Sequence, residues 1–295
     1  MKQLIPIAIV GAGNMGGGML MRLRQLGWAL GVHDTDAQAQ RKAVSLGAMD
    51  CGSALQAAQH LSDDGVLLVA VVDAAQTEAV LWGENGAAPA LKPGQTVMLC
   101  PTLGPATVEG QAERLALQGV DVIDAPMSGG PLRAQDGSMS LMVACSDPVW
   151  QRSQELLHAL SQRVFRVGTR AGDGARTKLV NNLLAAVNLA GAAEAMALAE
   201  RLGLDPAGTL SVIEASSGQS WIGSDRMRRA LVGDFAPRAH VSLLAKDTGL
   251  AVQAADEVAF DPILGRLARD AFAQAVQQGW AELDDAALLQ LMRQR

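Results

Sequence analysis

Residues 5–16 read IPIAIVGAGNMG, and this stretch decides the fold. Ile5 to Val10 is a continuous apolar run, as expected of a strand buried on both faces rather than one with a solvent side. Gly11, Gly13 and Gly16 follow at once in G-x-G-x-x-G spacing, with Asn14 and Met15 inside the loop. Each glycine has its own physical use. The first permits a tight turn, the second lets a pyrophosphate approach the backbone, and the third lets a helix pack closely on the strand. Met15, Met19, Leu20, Leu23 and Leu26 then recur at helical spacing, which places a helix N-terminus beside Gly13, where its N–H groups and dipole favour phosphate. Gly27 caps that helix, and Ala29 to His33 gives a second strand ending at Asp34. A lone G-x-G-x-x-G is weak evidence. With the strand before it, the helix after it and an acid roughly 20 residues on, it reads as a dinucleotide-binding loop.

Asp34 speaks to the choice of dinucleotide. A carboxylate there accepts hydrogen bonds from ribose hydroxyls and repels a 2′-phosphate, and Thr35, Asp36 and Ala37 offer no arginine to pair one. NAD is therefore expected over NADP.

Outward from this loop, strands alternate with helices. Val66–Val72, Thr96–Cys100, Val120–Asp124, Leu141–Ala144 and Val164–Val167 are the later strand candidates, separated by turn signals such as those at Lys92 and Gln118. Alternation implies a mainly parallel, doubly wound sheet. After about residue 170 only helical periodicity is seen, punctuated by Gly203, Pro206, Gly218, Pro237 and Pro262. The expected architecture is α/β: a doubly wound Rossmann domain, residues 1–168, followed by an all-helical domain, residues 169–295, for substrate and oligomerisation.

Two further stretches are not explained by packing. Val120 to Asp124 runs into DAPMSGG, residues 124–130, where Ser128 precedes the pair Gly129-Gly130. Adjacent glycines free the backbone so that successive N–H groups can converge on an anion such as a carboxylate. Alone this would be an ordinary strand-ending turn. In GARTKLVNN, residues 174–182, Lys178 and Asn182 lie four apart and share a helix face. A helical lysine is normally a solvated charge, but Leu179, Val180, Leu183 and Leu184 surround this one. A lysine on such a stem can be desolvated and transfer protons, and its ammonium can stabilise a developing oxyanion without a metal.

Composition narrows the class. The chain has 295 residues, net charge −6 and only 3% aromatic residues, with no basic run, which argues against nucleic acid. Cys51, Cys100 and Cys145 lack metal or disulfide spacing and read as buried apolar fillers. His33, His60, His158 and His240 are scattered and read as structural. The chain enters its first strand at once, leaving no room for a signal peptide, so a cytoplasmic location is expected. The apolar stretch Leu183–Ala199 contains Asn188 and Glu194 and fits a buried helix better than a membrane span. The segment Thr177–Leu202 is apolar on more than one side, which predicts a homodimer or homotetramer packed through the helical half.

Four blocks, in order, resemble the β-hydroxyacid dehydrogenase family, which includes the 3-hydroxyisobutyrate dehydrogenases: GAGNMG, DAPMSGGPLRAQDGSMSLMVA, GARTKLVNN and LLAKDTGLAVQAA. The resemblance covers nearly the whole chain. It implies that Lys178 is catalytic and that Asn182 orients substrate. Ser128, Gly129 and Gly130 would hold the substrate carboxylate, with Trp221 also at the substrate. Thr102 and Lys246, with Asp247, would lie at the cofactor, and the site would occupy the cleft between domains. Hydride would pass between NAD and the hydroxyl-bearing carbon of a small hydroxy acid. Two departures are visible. Cys100-Pro101-Thr102 stands where the family usually has a Ser-Thr pair, and Ser216–Val241 is more similar to the L-threonate dehydrogenase branch, favouring a polyhydroxylated acid. Two other readings have distinct signatures. A non-catalytic dinucleotide sensor would not need Ser128–Gly130, Lys178 and Lys246 together. A 6-phosphogluconate-type enzyme would need a basic cluster, for which Arg226, Arg228 and Arg229 are candidates, although they also read as a solvated helix face.

Overall fold

Strand and helix alternate from Ile5 to Gly168 in the computed structural model, which describes residues 5–295. The order is β1 (Ile5–Val10), α1 (Asn14–Gln25), β2 (Leu30–His33), α2 (Ala37–Ser45), β3 (Met49–Asp50), α3 (Ala54–Gln59), β4 (Leu61–Val69), α4 (Ala74–Trp82), β5 (Thr96–Leu99), α5 (Pro105–Ala116) and β6 (Asp121–Asp124). Then come β7 (Met127–Ser128), α6 (Gly130–Asp136), β8 (Ser140–Ala144), α7 (Asp147–Leu160) and β9 (Arg163–Gly168). Among the described residues these strands form one sheet in the order β3-β2-β1-β4-β5-β6-β8-β7, with β9 paired to β8. The pairs from β3 through β6 are parallel, whereas β8 runs antiparallel to both β6 and β7.

Period-two alternation explains why the sheet is covered on both faces. Ile7 and Ile9 point into one core with Met19, Leu20 and Leu23 of α1. Ala8 and Val10 point into another with Leu81 of α4 and Val108 and Leu115 of α5. All are essentially buried, and each large apolar side chain so placed stabilises the fold by about 1.5–3 kcal/mol relative to exposure. Three details differ from the sequence expectation. Leu26 is the exposed C-cap of α1, not part of its buried stripe, because the helix stops at Gln25 and Gly27 turns the chain away with φ +84°. The strand expected at Val66–Val72 is β4, which begins at Leu61 and stops at Val69. The strands β3 and β7 were not anticipated; each is two residues long, too short for a visible alternation.

The remainder is helical: α8 (Asp173–Arg201), α9 (Pro206–Glu214), α10 (Trp221–Leu231), α11 (Val241–Glu257), α12 (Ile263–Ala275) and α13 (Leu288–Arg293). The chain divides into two compact units, one running up to Lys178 and the other Leu179–Arg295. Thus α8 starts in the first and continues as the spine of the second. Leu189, Ala193 and Met196 of α8 pack with Phe272 of α12 and Leu288 and Leu289 of α13. By length and composition α8 could cross a membrane, but these packed residues are wholly buried in the helical core. Its other side leaves Val180, Leu184 and Leu198 exposed.

Candidate active site

The glycine loop has the geometry its spacing implies. Gly11 has φ +95°, and its N–H donates to the His33 carbonyl at 2.9 Å, tying the loop to the end of β2. A Cβ on Gly11 would lie 2.7 Å from the Ala70 carbonyl oxygen, and one on Gly16 only 1.8 Å from that of Gly11. A side chain at either position would disrupt the turn. Gly13 is different: nothing lies within 4 Å of its Cβ position, so the space over it is open to an approaching ligand. Asn14 opens α1 exposed beside it, with Met15 half-buried behind. A cavity of about 320 Å³ opens beside the loop, with Ala12, Gly13, Asn14 and Asp36 among its lining residues.

Asp34 is held ready rather than left as a loose acid. Its Oδ2 accepts from the Ala12 N–H at 2.5 Å and its Oδ1 from the Asp36 N–H at 2.7 Å. Each carboxylate oxygen keeps capacity for a further hydroxyl donor. The open glycine, the helix N-terminus and this pinned acid form a donor and acceptor set that fits a dinucleotide.

Asp124 closes β6, and the chain beyond it turns through Pro126 into β7 and the glycine pair. Gly129 has φ +132° and Gly130 φ +79°, both in the region that favours glycine. Gly129 is the N-cap of α6, with Pro131 near the start of that helix. Ser128 is half-buried in β7. Thr102, also half-buried, follows Cys100 at the end of β5; burial, with Asp124 nearby, pushes the Cys100 thiol up to about 12. That thiol therefore stays protonated at neutral pH.

On α8, Lys178 is 7% exposed and Asn182 6%, an unusual burial for two polar side chains on one helix face. Asn182 is fixed on both sides. Its Nδ2 donates to Asp247 Oδ2 of α11 at 2.6 Å, and its Oδ1 accepts from Asn181 Nδ2 at 3.0 Å. Lys246 Nζ sits 3.1 Å from Asp247 Oδ1, a charge contact rather than an aligned hydrogen bond. The C-terminal Lys-Asp block and Asn182 thus meet in the helical unit.

Trp221 is the first residue of α10 and is half-exposed, with the Arg226 guanidinium 6.0 Å from its ring centre. The arginines of this helix are not a solvated face, nor a ready phosphate cradle. Arg226 pairs with Asp285 and Asp225, Arg229 with Asp284 at 2.7 Å, and Arg228 with Glu214 at 2.6 Å. Only Arg228 is substantially exposed. The opposing carboxylates lie 14 or more residues away in sequence except Asp225, so sequence spacing does not reveal them. Two contacts become evident only once strands and helices are assembled: Asp124 accepts N–H groups at the start of α8, and Asp247, expected at the cofactor, anchors Asn182.

Comparison with known proteins agrees with this geometry. Residues 6–168 match the model of the NAD binding domain of 6-phosphogluconate dehydrogenase, and residues 172–292 match that described as NAD-binding of NADP-dependent 3-hydroxyisobutyrate dehydrogenase. The L-threonate dehydrogenase of Cupriavidus necator is 35% identical over 97% of this chain and 95% of its own. The human mitochondrial 3-hydroxyisobutyrate dehydrogenase is 29% identical over 98% of this chain and 87% of its own. A crystal structure of a 3-hydroxyisobutyrate dehydrogenase from Salmonella typhimurium superposes with a TM-score of 0.89 at 33% identity, over 97% of this chain and 99% of that one. The chain therefore belongs to the 3-hydroxyisobutyrate dehydrogenase-like family of NAD(P)-dependent hydroxyacid dehydrogenases.

Proposed function

We propose that the chain oxidises a small polyhydroxylated carboxylic acid of the L-threonate type, with NAD as the preferred cofactor. The observation that carries this reading is the buried pair on α8: Lys178 and Asn182 share a face, and Asn182 is anchored by Asp247 at 2.6 Å. Lys178 takes the hydroxyl proton during oxidation and returns it during reduction, stabilising the alkoxide-like oxygen as charge develops. Asn182, with its amide held, presents its remaining N–H to the substrate. Ser128, Gly129 and Gly130 bind the carboxylate through the hydroxyl and glycine N–H groups, and Trp221 packs on the substrate's carbon chain. Gly11, Gly13, Asn14, Met15, Gly16, Asp34, Thr102 and Lys246 hold the nicotinamide cofactor, which supplies the hydride acceptor when bound. Residues 1–168 serve as the dinucleotide domain and 169–295 as the substrate and oligomerisation domain of a cytoplasmic enzyme.

Support for the acid comes from the L-threonate dehydrogenases among the relatives, at 33–35% identity, and from the pairing of Arg226, Arg228 and Arg229 with carboxylates, which leaves no phosphate cradle there. Support for NAD is Asp34. The test is a panel of L-threonate, 3-hydroxyisobutyrate and 6-phosphogluconate with each cofactor, following reduced nicotinamide absorbance. L-Threonate with NAD should give the highest kcat/KM; highest turnover of the phosphorylated acid would overturn the reading, as would no turnover of any acid.

The same helical unit exposes Val180, Leu184 and Leu198 on α8 and Ile263, Leu264 and Leu267 on α12. Gly265 brings these helices close, since a Cβ there would meet Leu183 at 2.6 Å. Apolar surface of this kind supports a homodimer or homotetramer built on these helices. Light scattering should report at least twice the chain mass, and a Leu184→Glu variant should lower it.

A further inference from the structure

At the junction of β6 and α8, one buried carboxylate connects two parts of the candidate site. Asp124 is 1% exposed, and its Oδ2 accepts from the backbone N–H of Gly172 at 2.8 Å and of Ala175 at 3.0 Å. The Gly174 N–H lies on the same side and favours the ionised carboxylate. Gly172 immediately precedes α8, and Gly174 and Ala175 lie in its first turn, where backbone N–H groups have no partners within the helix. The cap comes from a residue 48 positions upstream. The close approach is built into the sequence: a Cβ on Gly174 would stand 2.8 Å from Asp124 Cγ, and Gly172 has φ +96°. Lys178 follows Ala175 by three residues, about 4.5 Å along the helix axis. On the strand side, Asp124 is the last residue of β6 before the chain turns towards Ser128, Gly129 and Gly130.

We propose that Asp124 is a positioning residue for proton transfer: it seats the first turn of α8 and so sets where Lys178 presents its amine, in register with the loop that follows β6. This rests on the role of Lys178 proposed above. Helix capping for stability alone does not account for a carboxylate here. Burial pushes the acid up to about 6 despite these backbone N–H groups, and Asp173 on α8 raises it further. On the β5 side the nearby Cys100 thiol stays protonated.

The test uses the full-length chain, with L-threonate and NAD as substrates, in Asp124→Asn, Lys178→Ala and the double variant. Asp124→Asn should fold, as judged by circular dichroism, and bind NADH within threefold of wild type by fluorescence. Its kcat should fall at least tenfold with little change in the KM for L-threonate. The double variant should be no slower than Lys178→Ala, because a residue that acts only through Lys178 has nothing further to lose. A kcat for Asp124→Asn within twofold of wild type overturns the proposal, as do losses that multiply in the double variant. Near-normal kcat in Lys178→Ala overturns the reading of Lys178 itself, whereas a normal Asp124→Asn beside an impaired Lys178→Ala overturns only the positioning role. Should Asp124→Asn not fold, Gly174→Ala tests the same seat with the carboxylate in place. A tenfold loss in its kcat with NADH binding retained supports the proposal, and unchanged kcat overturns it.

Discussion

Asp124 and Asp284 are both fully buried aspartates that accept backbone N–H groups at the start of a helical turn, yet their charges are treated in opposite ways. Asp124 receives its bonds from the amides of Gly172 and Ala175, and burial raises it to about 6. At Asp284 burial also pushes upward, but the Arg229 guanidinium at 2.7 Å and the N–H groups of Arg238 and Ala286 bring it below the ordinary carboxylate range. At Asp284 a guanidinium and two backbone N–H groups together outweigh the desolvation, whereas at Asp124 the backbone N–H groups do not. Asp285, next in sequence, shows how local this is: burial raises it to about 7 even with Arg226 against it. The α10 clamp is therefore a device of stability, and the start of α8 one of position.

The strongest way to break that contrast is at Lys178. If the polar start of α8 serves chemistry, Lys178→Ala should lower kcat by about 10²–10⁴-fold, the usual worth of a positioned acid–base group, with NADH affinity nearly unchanged. Steady-state kinetics beside NADH titration measures both, and a wild-type kcat would remove chemistry from this helix.

The clamp is next. Asp284→Ala leaves buried Arg229 only the longer contact with Asp225, 3.9 Å from its Nε, and its Nε and Nη1 already lack hydrogen-bond partners. Removing one partner of a buried pair costs about 3–5 kcal/mol, which urea denaturation at neutral pH should register. A change below about 1 kcal/mol would mean that the clamp is not a stability element.

The third expectation sharpens the comparison through its sign. Because the folded-state pKa of Asp124 is raised, its favourable contribution is fully present below the unfolded carboxylate value and is lost as pH rises through about 6. Relative to wild type, Asp124→Asn should therefore gain stability between pH 4 and 7, by ~3 kcal/mol for a rise from the ordinary carboxylate range to about 6. Parallel denaturation curves across that range test it. A gain in stability together with a loss in kcat would separate position from stability in one residue; a variant that loses stability as pH rises would contradict the account of this site.

The smallest effect is expected at the cofactor loop. Asp34→Ala removes the carboxylate that holds the Ala12 and Asp36 amides, and it should erode preference for NAD over NADP by about 1–3 kcal/mol in kcat/KM terms. Wild type that already favours NADP would contradict the role given to Asp34.

Much of this molecule is legible along the chain. The apolar run of β1, the glycine spacing and the helical stripe of α1 are local patterns, and the periods of strand and helix make them visible without knowledge of the fold. The division between an alternating half and a helical half follows from the same periods. Ser128, Gly129, Gly130, Lys178 and Asn182 could also be singled out from residue type and spacing, because glycine conformational freedom and helix faces are short-range properties.

What only the tertiary structure decides is how charges are partnered. Asp124 meets α8 across 48 positions, Asn182 meets Asp247 across 65, and Arg226 and Arg229 meet Asp285 and Asp284 across 59 and 55. Side-chain carboxylates carry no periodic signal that names a distant partner. Whether a carboxylate is solvated, capping or clamped depends on which elements the fold brings beside it. Sequence alone therefore determined where backbone, core and the main polar candidates lie. Assembly of the elements determined that the arginines of α10 are spoken for, that Asn182 is held, and that the first turn of α8 is seated on a buried aspartate, because desolvation and pairing are properties of three-dimensional neighbours.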